Sequence, residues 1–233
     1  MTEVLVMTRT AGYRHESIPD ACAALAGVPS LRVHLTEDSH AVEDCQAYGT
    51  VIFLSTTGSI LDGGARRALR TYVEGGGGFV GIHSAAATEL DWPWYGELLG
   101  ARFAGHPDGV QRAMVHPMPG VPWNSPLPSP WEVIDEWYAF DAVREDVEVL
   151  LHVDEASYHP GQFSMAAPHP QAWRRRVGAG RSWYTALGHE RALWSDAQFL
   201  AHVLTGISWT SRRAGADCFS EPDDRPSSTP PAG

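Results

Sequence analysis

Two rhythms of apolar and polar positions run along the chain, and the change between them falls near residue 100. In the first part, short apolar runs alternate with segments of helical spacing. "VLVMT" at 4–8 predicts a buried first strand, followed by the loop "RTAGYRHES". Ile18, Ala21, Cys22 and Leu25 then share one face of a helix over about 18–27, with Ser17 and Asp20 placed as the two ends of a capping box. "LRVHLTED" alternates as a half-exposed strand does, whereas "VIFLST" at 51–56 is continuous, as in the middle of a parallel sheet. Asp62 predicts the cap of a helix whose Ala65, Ala68, Leu69, Tyr72 and Val73 form one apolar stripe, and the four glycines at 75–78 close it before the strand "FVGIH".

This alternation predicts an α/β fold: an open, mostly parallel sheet with helices on both faces. Such sheets bind ligands beyond the carboxyl ends of their strands, so the loops at 9–17, 55–61 and 83–94 are expected on one rim. The second half reads differently. "RAMVH", "WEVIDEWYAF" and "VEVLLHVD" predict strands separated by proline-rich loops, and "AWRRRVGAGRSWYTALGH" predicts two strands joined by a glycine turn, additional antiparallel members of the sheet. A last helix is expected over about 196–206. After Trp209 the composition turns to Arg, Asp, Ser and Pro, which predicts one domain over 1–211 and a disordered tail over 212–233.

Composition narrows the partners. The net charge of −11 repels nucleic acid and anionic membranes, and no apolar run approaches the length of a membrane span. The start "MTEVLVMTRT" lacks the features of a secretory signal, and Cys22, Cys45 and Cys218 fit no zinc or redox spacing. A cytoplasmic protein with a small-molecule partner is the expectation, and a homo-oligomer is left open. The basic run Arg174, Arg175, Arg176 reads as a solvated strand or turn face. Eleven histidines and nine tryptophans raise the odds of a metal or carbohydrate site.

Several histidines fall just past predicted strand ends. His15 lies in the loop after the first strand, His83 ends "FVGIH", and His189 ends "SWYTALGH". His106 in "FAGHP" and Glu136 in "DEWY" are expected to join them. Imidazoles and a carboxylate on one rim have two uses. His15, His83 and His189 can hold a divalent metal such as Zn or Mn, or the groups can act without metal as bases and acids. The sequence leaves both open. Trp92, Trp94 and Tyr95 in "DWPWY" and Trp137 beside Glu136 offer flat surfaces for a sugar ring, with packing of a short helix as the competing role; Arg14 and Ser84 complete the substrate-binding candidates.

"GYRHESI", "STTGSILD", "YVEGGGGFVGIHSAA", "DWPWYGELLGARFAGHP", "DEWYAFD" and "GAGRSWYTALGHE" resemble, in this order, the trehalose-utilisation ThuA-like family over about residues 3–209. The resemblance implies a flavodoxin-like sheet of the class I glutamine amidotransferase-like kind. In that class the sharp turn after a strand reads Gly-x-Cys-x-Gly; here Gly81, Ile82, His83, Ser84 and Ala85 stand in its place. With no cysteine, no thioester forms there. Ser84 as a substitute nucleophile has no base visible in the sequence, and "GHE" at 188–190 is a triad end with one residue missing. The family association implies breakdown of disaccharides, in particular sugars oxidised to a ketone at carbon 3. Such a ketone acidifies the hydrogen on carbon 2, and its removal lets the oxygen on carbon 1 leave. The resemblance thus implies His83 or His15 as base, a metal or second histidine on the ketone, and Tyr138 or Glu136 assisting, in elimination, hydrolysis or isomerisation. A non-catalytic sugar-binding or partner-binding module is the alternative. The pairs His116-Pro117 and His169-Pro170 read as turn-forming.

Overall fold

Alternating inward and outward side chains on each central strand supply two separate cores, one on either face of a single sheet. The computed structural model describes residues 1–121, 127–166 and 168–211; the tail expected at 212–233 lies outside the described residues. β1 (Thr2–Met7), β2 (Leu31–Thr36), β3 (Thr50–Leu54) and β4 (Gly78–Ile82) alternate with α1 (Ile18–Ala26) and α2 (Gly63–Glu74), and α3 (Pro93–Leu99) follows. β5 (Arg102–Gly105), β6 (Gln111–Pro117), β7 (Trp131–Asp135), β8 (Ala139–Asp141), β9 (Glu148–Val153), β10 (His169–Val177) and β11 (Gly180–Thr185) come next, and α4 (Ala197–Thr210) ends the described chain.

The main sheet has the order β2-β1-β3-β4-β11-β10-β9-β6-β7, while β5 and β8 form a separate antiparallel ribbon. From β2 to β11 every pairing is parallel; from β11 to β7 every pairing is antiparallel. An even number of reversals separates β11 from β7, so the carboxyl end of β7 shares a rim with those of β1, β4 and β11. That parity brings residues far apart in the chain to one edge.

Val4, Val6, Ile52, Leu54, Val80 and Ile82 pack with α1 and α4. Their alternates Leu5, Met7, Val51, Phe53 and Phe79 pack with α2 and α3. The continuous apolar runs are those of strands covered on both faces. Asp62 caps α2 as expected, accepting from the N–H groups of Gly64 and Ala65.

Four expectations are corrected. Ser17 does not cap α1: its hydroxyl donates to the Gly188 carbonyl at 3.0 Å, and Asp20 pairs with Arg191 instead of closing a capping box. "WEVIDEWYAF" is not one strand; it breaks after Asp135 and resumes at Ala139 in the other sheet. His116 and His169 lie within β6 and β10, not in turns. Arg174 and Arg175 do not form a solvated face. Arg174 makes two hydrogen bonds to Glu148 and lies over the Trp209 ring, and Arg175 pairs with Asp146.

Candidate active site and metal centre

β4 runs out at Ile82 and the chain turns at once, with His83 at φ +52°, a left-handed conformation rare for a residue with a side chain. Gly81 allows the close packing beneath this turn, since a Cβ there would lie 2.7 Å from Leu99 Cδ1. The His83 ring is fully buried. Its Nδ1 lies 2.7 Å from the Ala186 carbonyl, which can only accept, so Nδ1 carries the hydrogen and Nε2 of the neutral ring presents a lone pair to the rim.

Around that lone pair the other groups gather. His15 Nε2 stands 3.0 Å away, and the other His15 nitrogen lies 3.2 Å from Ser84 Oγ. Ser84 therefore has a histidine partner that the sequence did not reveal. Tyr138 Oη is 2.9 Å from His83 Nε2 and is placed to donate to it. Glu136 Oε2 lies 3.5 Å from His83 Nε2 and 3.1 Å from His189 Nδ1. The buried His189 Nδ1 has the carboxylate near it but off the line of a hydrogen bond. His106 sits at the edge, with Nε2 3.8 Å from Glu136 Oε1 and its ring stacked on Tyr138. The β5–β8 ribbon brings those two together by pairing Gly105 with Ala139.

Burial, reinforced by the facing His83 and His189 rings, pushes the His15 imidazole down to about 3. Burial acts the other way on Glu136, yet contact with His189 and His83 holds its carboxyl well below the usual carboxylate range. For His189, burial is outweighed by Glu136, which raises its pKa. Burial also raises the Tyr138 phenol, which stays protonated.

His15, His83, Glu136 and His189 each offer one ligand atom, all within 4.8 Å of one another. Three imidazoles and a carboxylate are a donor set for Zn²⁺ or Mn²⁺. The structure fits such an ion in two further respects. The carbonyl on His83 Nδ1 fixes its ring as outer partners of metal ligands do, and the misaligned, buried His189 Nδ1 lacks a hydrogen bond that a ligand bond would replace.

Asp135, which sequence reasoning did not single out, fastens the site. Fully buried, it accepts from the N–H groups of Glu136, Gly188 and Glu190 at 3.0, 2.7 and 3.0 Å, so one carboxylate sets both Glu136 and the His189 loop. The Tyr138 carbonyl is gripped by His169 Nε2 at 2.8 Å and by Gln171 at 2.9 Å, and His169 Nδ1 meets Glu155 at 2.7 Å. Two adjacent acids closing an apolar strand were a readable signal for Asp135; His169 and Gln171 carried none beyond their place in a strand.

The remaining candidates are placed elsewhere. Arg14 reaches Glu37 and the Thr8 carbonyl. Trp94 donates to Glu74 and lies under Arg70; Trp92 lies under Arg66; Tyr95 donates to the Ala85 carbonyl. These rings pack α3 against α2 and the elbow. Trp137 is buried in the opposite core and donates to the Gln111 carbonyl.

A parallel half in the order 2-1-3-4-11, with an imidazole seated on the sharp turn after β4, defines an α/β protein of amidotransferase-like fold. The family profile described as ThuA, trehalose utilisation, matches residues 3–210, and the chain belongs to that family. Solved structures agree on the fold. A protein described as ThuA-like from Bacteroides uniformis shares 21% identity over 90% of this chain and 91% of its own, with a TM-score of 0.72. One from Parabacteroides merdae shares 19% over 90% of each chain, with a TM-score of 0.71. A protein from Thermoplasma acidophilum, described as one component of a GMP synthase, shares 12% over 89% of this chain and 93% of its own, with a TM-score of 0.52. No curated protein matches the chain. Among the described residues, no helix is long and apolar enough to cross a membrane.

Proposed function

We propose that the chain is an enzyme that cleaves a glycoside or disaccharide bearing a ketone at carbon 3, by proton transfer assisted by a divalent metal. The observation that carries this reading is the convergence of His15, His83, Glu136 and His189 on one point, with His106 and Tyr138 beside it. A Zn²⁺ or Mn²⁺ ion held by those four residues would act as a Lewis acid on the ketone oxygen.

The chain's own residues supply the rest. His106 Nδ1 donates to the Pro107 carbonyl at 2.8 Å, which leaves Nε2 as a basic lone pair on the partly exposed side of the cluster. That nitrogen is placed to take the proton from carbon 2, leaving an enolate over carbons 2 and 3 and the ketone oxygen. Expulsion of the oxygen on carbon 1 then forms the C1–C2 double bond and restores the ketone. The departing oxygen needs a proton, and the buried Tyr138 phenol is the neighbouring donor. Reprotonation of the same enolate on the opposite face of carbon 2, without expulsion, gives isomerisation by epimerisation. This assignment moves the base from His83 or His15 to His106, because a metal held by the first two would occupy their inward-facing nitrogens. A simple sugar carrier has no use for such a concentration of titratable groups.

The test pairs metal analysis of protein purified without an affinity tag with turnover of a 3-keto-glycoside. One equivalent of metal and loss of turnover in folded His83→Ala are expected. Unchanged turnover in that variant removes His83 and the cradle from the mechanism.

A further inference from the structure

Beside the cluster, on the side of His189, a recess of about 120 Å³ is lined by Tyr13, Glu16, His189, Glu190 and Arg191. None of these except His189 belongs to the machinery above. Tyr13 is 65% exposed, which leaves its ring free to pack on a ligand, and it stands edge-on to His15 at 4.8 Å between ring centres. The Glu16 and Glu190 carboxylates act on Arg191 through space, with no hydrogen bond or close ion pair of their own among the described residues, and Glu190 is only partly exposed. Arg191 is anchored by Nε on Asp20 at 2.6 Å, which leaves its terminal nitrogens available. The two loops that form the walls are locked together by the Ser17 to Gly188 hydrogen bond. A rigid recess thus presents one aromatic face, two acceptor pairs and one donor fork.

We propose that this recess is the subsite for an uncharged, polyhydroxylated ring of the substrate, stacked on Tyr13 and held through its hydroxyls by Glu16, Glu190 and Arg191. The proposal rests on the reading of the cluster as a sugar-processing site. Carboxylates accept from hydroxyls and guanidinium donates to them, and an aromatic face packs on the C–H side of a pyranose. The same groups select against anions. Glu16 and Glu190 line the recess, Glu136 stands behind His189, and the single guanidinium is already paired with Asp20. A phosphorylated or carboxylated sugar set against the Glu16 and Glu190 walls meets carboxylates of its own sign, in a chain of net charge −11.

Direct binding, measured by calorimetry or saturation-transfer NMR, uses trehalose and trehalose 6-phosphate as probes. The neutral sugar is expected to bind at least about ten-fold more tightly than its phosphate. Tyr13→Ala, whose ring is outside both cores, is expected to weaken trehalose on the order of ten-fold. The double variant Glu16→Gln with Glu190→Gln is expected to narrow the gap between the two probes. Equal binding of the phosphate, an unaffected Tyr13→Ala, or an unchanged gap in the double variant overturns the subsite. Turnover does not enter this readout, so the subsite can fail while the catalytic reading stands. If turnover of the 3-keto-glycoside fails while the binding pattern holds, the subsite stands without the catalytic reading.

Discussion

His83 stands on the sharp turn where β4 ends, and its geometry explains what an imidazole does there. The strained turn and the Ala186 carbonyl together fix one tautomer and aim Nε2 at three other ligand atoms. A thiol would offer reactivity; a locked imidazole offers a fixed lone pair. Two predictions belong to single side chains. His106→Gln is expected to lower turnover by about 10²–10⁴-fold while leaving metal content unchanged, read by steady-state kinetics beside elemental analysis. His189→Ala is expected to lower metal content as well as turnover, because it removes a ligand atom. Equal metal retention in both variants would take His189 out of the cradle.

The interruption between β7 and β8 is the element-scale event on which the site depends. Had the chain continued as the strand that "WEVIDEWYAF" predicts, Glu136 and Tyr138 would point to one face of a sheet edge. Instead Asp135 stops the strand by binding three backbone N–H groups, and His169 with Gln171 holds the Tyr138 carbonyl, so both side chains meet His83. Turn chemistry of this kind needs partners more than 30 residues away, which local periodicity does not encode. The β10–β11 hairpin makes a similar demand. A Cβ at Gly180 would lie 2.1 Å from the Val73 carbonyl at the end of α2. Gly180→Ala is therefore expected to cost about 1–3 kcal/mol, seen as a lower urea midpoint with an unchanged slope. An unshifted midpoint would show that the hairpin gives way at no cost.

At the scale of the molecule, the two cores and the parity of the sheet set stability and convergence together. His202 on α4 is fully buried near Trp183 and Phe199, and burial pushes its imidazole from 6.5 down to about 3. The unfolded chain takes up that proton near 6.5 and the native chain does not. The stabilisation from a neutral His202 is thus complete above 6.5 and shrinks as pH falls from 6.5 toward 3, by about 1.4 kcal/mol per unit. His202→Leu is expected to flatten this acid limb in urea unfolding followed from pH 7 to pH 4; a limb of equal slope would assign the loss to other groups, His15 among them.

The sequence by itself determined most of the strands and helices, the two-faced burial of the parallel half and the place of His15, His83 and His189 just past strand ends. Each of these is written in local spacing: a continuous apolar run, an apolar stripe, a histidine just past a strand end. Only the tertiary structure decided which rings face one another. It turned Trp92, Trp94, Tyr95 and Trp137 to packing, gave Ser84 a histidine, and left Tyr13 open beside His189. The physical reason is range: periodicity records whether a side chain is buried, whereas its partners are fixed by sheet order and by hydrogen bonds between segments tens of residues apart.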